Sequence, residues 1–185
     1  MRVFLDTCTL QFLYDYGEYV FESNRSVIDQ SIDKYPNGEQ NLEALHDIIE
    51  VNSAGSPSFS FVLSDTSIDE IERRGESGFT YYGYDVLDIW YITVTELGTD
   101  AFSGEGHQWA EILQQDQFNY LSNADRQLIT DALLEECEYF LTVEEKLPKQ
   151  ANHLNQQLPI ELLRPYEFWE QKLEPHFENY PPWKE

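Results

Sequence analysis

Four acidic residues carry the chemistry that this chain suggests. Asp6 ends the short apolar run Val3-Phe4-Leu5, and Glu70, Asp125 and Glu144 hold comparable places further along. A carboxylate at the end of a buried strand is costly to desolvate unless something compensates it. Several carboxylates gathered at one place raise each other's pKa. A hard divalent cation with oxygen ligands removes that conflict, and Mg²⁺ or Mn²⁺ suits an all-carboxylate set. Such a centre can lower the pKa of a bound water and direct it in line at a phosphodiester. The two cysteines, Cys8 and Cys137, are too few for a thiolate zinc site or a disulfide framework, and both read as small buried thiols. No serine or cysteine nucleophile has a matched histidine. His46, His107, His153 and His176 fall in contexts that suit surface or local packing.

Each acid also has a structural reading. Glu70 with Ser67 can form a capping box. Asp125 can favour the dipole of the helix it opens. Asp6 can cap the helix that follows it, and Glu144 can be one more surface acid. Asp65, Asp69 and Asp131 are less well placed, and Asp131 lies off the apolar stripe of its helix.

The elements that must position these acids alternate between strand and helix. Apolar or β-branched runs predict strands at 2–5, 59–63, 89–94, 139–142 and 159–163. Helical spacing predicts helices over about 9–21, 39–51, 67–74, 100–115, 123–136 and 166–173, with Thr66 or Ser67 as the cap of the third. The Pro36-Asn37-Gly38 turn and the Gly55-Ser56-Pro57 breaker punctuate the first half, and 75–84 reads as loop or irregular helix. Strands separated by helices require crossover connections and a mainly parallel sheet. Ligands of such sheets bind at the carboxyl edge of the strands. Asp6 and Glu144 end the first and fourth strands. Glu70 lies early in the helix after the second. Asp125 opens a helix that runs back into the fourth, so it also starts at that edge. Leu128, Ile129, Ala132 and Leu133 follow Asp125 at +3, +4, +7 and +8, which puts Asp125 in line with the core-facing stripe.

Composition sets the outer bounds. A chain of 185 residues with 41% hydrophobic content supports one packed domain, expected over 1–173, with 174–185 as a loose tail. No apolar stretch reaches the roughly 18 to 20 residues of a membrane span, and MRVFLDT lacks a signal-peptide layout, so a cytoplasmic protein is expected. The formal charge of −24 is spread along the chain, which argues against a broad phosphate-binding face. It suits a compact metal site, a basic protein partner or adaptation to high salt. Arg2, Arg73, Arg74 and Arg126 are the candidate basic residues near the rim, Arg126 being nearest an acid.

Four segments then resemble the PIN-domain nucleases. The opening MRVFLDTCTLQFL is similar to that family's first strand and Asp-Thr-Asn start, with Asp6 as its acid. SDTSIDEI (64–71) resembles the pattern that ends in a metal-binding Glu, here Glu70. ADRQLITDALLEECEYFLTVEEKL (124–147) looks like the Asp-led helix followed by Tyr-Phe-Leu-Thr-x-Asp, with Asp125 as the third acid. PIELLRPYEFWEQKL is similar to the last strand and its closing helix. Residues 22–40 and 75–88 match least. The resemblance implies a three-layer α/β/α sandwich with a mainly parallel five-strand sheet. It implies metal-dependent hydrolysis of RNA, or of single-stranded or structured DNA, with Asp6, Glu70, Asp125 and Glu144 as catalytic metal ligands. Many stand-alone members are VapC-like toxins held by a small antitoxin, often as dimers, so an antitoxin or other basic protein partner and a homodimer are expected. Two positions depart from the pattern. Glu144 stands where Asp is usual, which moves its carboxylate by roughly one bond length, and Cys8 stands where Asn is common. These departures and the acidity favour the alternative, a PIN-fold binding module with impaired catalysis. A different α/β protein with an acidic phosphoacceptor pocket is disfavoured, because this chain lacks the lysine expected after the fifth strand.

Overall fold

The computed structural model describes residues 1–53, 59–96 and 105–176. Among them, four strands form one sheet: β1 (Arg2–Leu5), β2 (Ser60–Val62), β3 (Tyr139–Leu141) and β4 (Glu161–Leu163). The order is β2-β1-β3-β4 and every pairing is parallel. The helices are α1 (Thr7–Asp15), α2 (Gly17–Glu22), α3 (Gly38–Ser53), α4 (Asp65–Arg74), α5 (Ser77–Glu96), α6 (Glu105–Leu113), α7 (Asn123–Leu134), α8 (Ala151–Gln157) and α9 (Pro165–Phe168). The chain is therefore an α/β protein with a parallel sheet, as its alternating pattern requires.

Successive strand residues face opposite layers, and the two buried clusters show it. Val3, Leu5, Leu141 and Leu163 join one cluster with Leu10 and Leu13 of α1, Leu42 and Leu45 of α3, and Phe168. Phe4, Val62, Phe140 and Leu162 join the other with Leu128, Ile129 and Leu133 of α7, Leu113 of α6 and Leu154 of α8. Burial on both faces explains why β1 reads as a continuous apolar run and not an alternating one. Phe4 and Phe140 are cross-strand partners, and their rings stack at 5.2 Å and 14°. Each is essentially fully buried. Burial stabilises by roughly 1.5–3 kcal/mol per ring, and the ring pair adds about 0.5–1.5 kcal/mol.

One expected strand is absent. Residues 89–94 lie within α5, so the sheet has four strands and not five. A short run of aromatic and β-branched residues cannot be told from a buried helix segment by its composition. The signal that decides it lies just upstream. Phe79, Tyr82, Gly83, Val86 and Leu87 recur at helical spacing, and Phe79 and Gly83 are buried. Gly83 matters here because a Cβ would press on Ile71 at 2.8 Å, so α5 runs unusually close to α4. The segment 75–84, read as loop or irregular helix, is the start of this helix from Ser77 onward.

Other boundaries shift for local reasons. The single helix expected over 9–21 breaks at Tyr16, whose φ of −115° and ψ of 20° leave the helical region. The Tyr16 hydroxyl pairs with Ser31 Oγ at 2.6 Å, its ring packs on Phe12 at 5.0 Å, and Gly17 then starts α2. The cap of α4 is Ser64, not Thr66 or Ser67. Ser64 Oγ accepts from Ser67 N–H while Ser67 Oγ accepts from Ser64 N–H, both at 3.3 Å. Gly75, at φ 76°, closes the same helix in the left-handed region that suits glycine. The closing helix continues from α9 through a π turn at Trp169–Leu173. The expected start of the fourth helix at residue 100, the Gly55-Ser56-Pro57 breaker and the tail beyond 176 lie outside the described residues. Among the described residues, no helix is long and apolar enough to cross a membrane.

Candidate functional site

The carboxyl edge of the sheet carries all four acids. Asp6 immediately follows β1, the strand flanked by β2 and β3, and is only 5% exposed. Its position is fixed from three sides. Its backbone N–H donates to Leu141 O at 3.1 Å, one carboxylate oxygen takes the Cys8 and Thr9 N–H groups as the cap of α1, and the other takes the Thr142 hydroxyl. The capping role foreseen for Asp6 is thus real, and it accounts for one of the two oxygens. Thr9 adds a bond from its hydroxyl to Leu141 O at 3.1 Å, which ties the first turn of α1 to β3.

Glu70 lies in the second turn of α4, half-buried. It takes no part in a capping box, because Ser64 and Ser67 fill that role. Glu70 Oε2 instead accepts the Thr7 hydroxyl at 2.8 Å, which brings its carboxylate beside the residue next to Asp6. Asp125 occupies the first turn of α7, also half-buried, and the Ser122 hydroxyl donates to its Oδ2 at 2.7 Å. The stripe below it is buried as expected at Leu128, Ile129, Ala132 and Leu133. Glu144 stands three residues beyond β3, and its Oε1 accepts from Leu147 N–H at 3.1 Å.

Electrostatics join these four groups. Burial raises the Asp6 carboxyl from its usual 3.8 to about 7; the Thr142 hydroxyl opposes that rise and the Glu144 charge adds to it. Burial also raises Glu144, and the charges of Asp125 and Glu70 raise it further, while the Leu147 N–H and Lys146 pull the other way. Glu144 therefore lies within electrostatic reach of each of the other three. The rim is a set of like charges under mutual strain. Yet among the described residues no three His, Cys, Asp or Glu side chains converge closely enough to hold a metal ion between them. Each carboxylate already has a donor: the Thr142 hydroxyl on Asp6 and the Thr7 hydroxyl on Glu70 from neighbouring elements, the Ser122 hydroxyl on Asp125 and the Leu147 N–H on Glu144 from nearby in the chain.

The donor chemistry at this edge is hard and anionic. Cys8, half-buried next to Asp6, offers no thiolate, because burial and the Asp6 charge push its thiol up to about 12. Cys137 is buried at the other end of β3 and its thiol is likewise pushed up by burial. The four carboxylates fit a magnesium- or manganese-type ion in donor type and charge.

Three hydroxyl residues belong to this site that acid spacing alone does not reveal. Thr7, Thr9 and Thr142 are all buried. Thr142 does double duty, since its hydroxyl donates to Asp6 and accepts from Glu144 N–H at 3.2 Å. Their signal is adjacency: each stands within three residues of a candidate acid. The candidate basic residues divide. Arg2 lies at the opposite end of β1, where it donates to Glu135 O at 3.2 Å. Arg126 is absorbed by Phe118 O at 3.0 Å and Asn119 Oδ1 at 3.2 Å. Arg73 and Arg74 end α4, and Arg74 reaches Gln11 on α1 at 3.4 Å. Asp65 and Asp69 are exposed, and Asp131 takes a bond from Gln127 at 2.9 Å. Of the histidines, His46 packs on Tyr19 and His153 on Tyr120, and neither touches the acidic rim.

Comparison of the chain with models of known protein families, with curated proteins and with solved structures gave no match.

Proposed function

We propose that this protein is a metal-dependent nuclease of PIN type that hydrolyses phosphodiester bonds in RNA, with Asp6, Glu70, Asp125 and Glu144 as the acidic centre. The observation that carries this reading is Asp6. A carboxylate buried at the end of a central strand, raised to about 7 and facing a second raised carboxylate, is a poor structural choice unless a cation joins it. Mg²⁺ or Mn²⁺ bound there supplies a water of lowered pKa and neutralises charge on the phosphate. Asp6 and Asp125 would hold the ion from β1 and α7, with Glu70 from α4. Glu144 would complete the shell through water, because its extra methylene carries it to the Leu147 N–H. Thr142 orients Asp6 and Thr7 orients Glu70 through their hydroxyls. A fold with a sheet of this strand order and an acidic carboxyl edge is compatible with the PIN-like three-layer arrangement.

One observation favours a second reading, a PIN-fold binding module that does not cleave. Each of the four carboxylates already accepts a hydrogen bond, and among the described residues no three of them converge. Under either reading an acidic rim suits a basic protein partner such as an antitoxin, and homodimerisation belongs to the same proposal.

Labelled RNA and single-stranded DNA, incubated with Mn²⁺ or with EDTA, separate the two. The nuclease reading expects cutting only with metal, and loss of cutting in Asp6→Asn and Asp125→Asn. Cleavage that persists in EDTA or in both variants overturns the mechanism. Mn²⁺ binding by calorimetry without cleavage supports the binding module.

A further inference from the structure

The region beside the acidic rim offers a face that the metal centre does not use. It is built by the side of α1, the last turn of α4 and the first turns of α5, which all touch one another. Phe79, fully buried at the start of α5, is its floor. Tyr14 of α1 lies on that floor with ring centroids 5.5 Å apart, and Tyr82 flanks it at 5.7 Å. The Arg74 guanidinium lies over the same Phe79 ring at 5.9 Å. Tyr14 is nevertheless 39% exposed, and its hydroxyl reaches across Gly78, where a Cβ would collide with it.

Several of the described basic residues have no carboxylate within 4.0 Å, and Arg74 is one that lies over an aromatic ring beside the acidic rim. Arg2, Arg25, Lys149 and Lys172 each face a carboxylate within 4.0 Å. Arg126 is held by a carbonyl and an amide oxygen. Among the described residues Arg74 meets no carboxylate at that distance, and it donates to a neutral side chain, Gln11, at 3.4 Å. It also sits close to Cys8, two residues from Asp6. A planar fork of donors beside a partly open aromatic ring suits a phosphate and its base. In a chain of net charge −24, a guanidinium without a carboxylate partner next to the acidic rim gives a polyanion a local point of approach.

We propose that Arg74 and Tyr14 form the entry of a substrate track for single-stranded nucleic acid. Arg74 takes a backbone phosphate one or two nucleotides from the scissile bond, and Tyr14 stacks the adjoining base. The proposal rests on the nuclease reading for its direction, toward Asp6. It commits to a single strand, because a base paired in a duplex has no free face to offer the ring.

Binding is read by fluorescence anisotropy of 5′-labelled U12 and dT12 in EDTA, so that cleavage plays no part. Tyr14→Leu keeps an apolar side chain over Phe79 but removes the π face, and Tyr14→Phe restores it. Tyr14→Leu and Arg74→Gln should each weaken binding by about tenfold, while Tyr14→Phe stays near wild type. Arg74→Gln should also flatten the dependence of log K on log salt by about 0.7. Binding of either oligomer that both variants weaken supports the track, and a preference between the two names the substrate. A duplex of the same length should bind far more weakly. Absence of oligomer binding by the wild type, equal duplex binding, or variants indistinguishable from wild type overturns the proposal. The two ideas fail separately. Metal-dependent cutting with normal binding by both variants removes the track and keeps the nuclease. Binding that depends on Tyr14 and Arg74 without any cutting does the reverse.

Discussion

Asp6→Asn should make the protein more stable at pH 8 and change it little at pH 4.5. In the folded protein the Asp6 carboxyl titrates at about 7, against 3.8 for the ordinary group. Between those values the folded state binds more protons than the unfolded chain, so this group lowers stability as pH rises and the full loss is in place above pH 7. At about 1.4 kcal/mol per decade of proton concentration, the gap corresponds to roughly 4 kcal/mol as an upper bound. Asparagine keeps one oxygen for the Cys8 and Thr9 N–H groups. Its amide can donate to the Thr142 oxygen once that hydroxyl turns away, so most of its hydrogen bonding survives. Allowing for relaxation around the charge, a gain of about 2–3 kcal/mol at pH 8 is expected, which is roughly 5–10 °C in a protein of this size. The assay is thermal unfolding by circular dichroism of both proteins at pH 4.5 and pH 8 in EDTA. Self-repulsion of the acidic surface is common to the pair and largely cancels in the difference. A variant that is less stable at pH 8, or an offset that is the same at both pH values, would refute the idea that Asp6 is a buried and uncompensated charge.

Three further outcomes follow from the same contacts. Thr142→Val removes the donor to Asp6 and the acceptor for Glu144 N–H, and should destabilise the protein by about 1–3 kcal/mol at pH 8, as read from urea midpoints, with a smaller loss at pH 5. Millimolar Mn²⁺ should raise the melting temperature of the wild type at pH 8 and should not do so for Asp6→Asn; an equal rise in both places any bound ion elsewhere. Gly106→Ala sets a methyl group against the Leu133 carbonyl where α6 crosses α7, and should cost about 1–3 kcal/mol in chemical unfolding, with Gly106→Ser no better.

Much of the architecture was legible because its signals are local. The apolar runs at 2–5, 59–63, 139–142 and 159–163 each contain a strand, and their ends place Asp6 and Glu144 at one edge. The stripe from Leu128 to Leu133 predicted the buried face of α7. The misread strand at 89–94 shows where locality fails. Its residues favour a strand, yet they continue a helix whose upstream part packs against α4 at Gly83 and is buried at Phe79. The site was legible in its acids and not in their partners. That Glu70 pairs with Thr7 across 63 positions, or Thr142 with Asp6 across 136, depends on tertiary approach that no spacing rule encodes. The Ser64–Ser67 cap was hidden for a simpler reason, since four successive residues, Ser64 to Ser67, are all competent to begin a helix.

The position of β1 in the sheet has a consequence for how the molecule comes into being. β1 is the first strand in chain order, but it lies between β2 and β3, and its partner residues 139–141 are some 135 positions away. During synthesis this apolar strand has one flank open until the chain has passed β3, so it remains a template for stray pairing for most of that time. The same delay applies to chemistry. Asp6 and Thr7 are made well before Thr142 and Glu144, which complete the rim only after the ribosome has passed them. A fragment that stops before β3 holds three of the four acids without the strand that orients the first. If the rim is a nuclease centre, its activity is withheld from incomplete chains by topology alone.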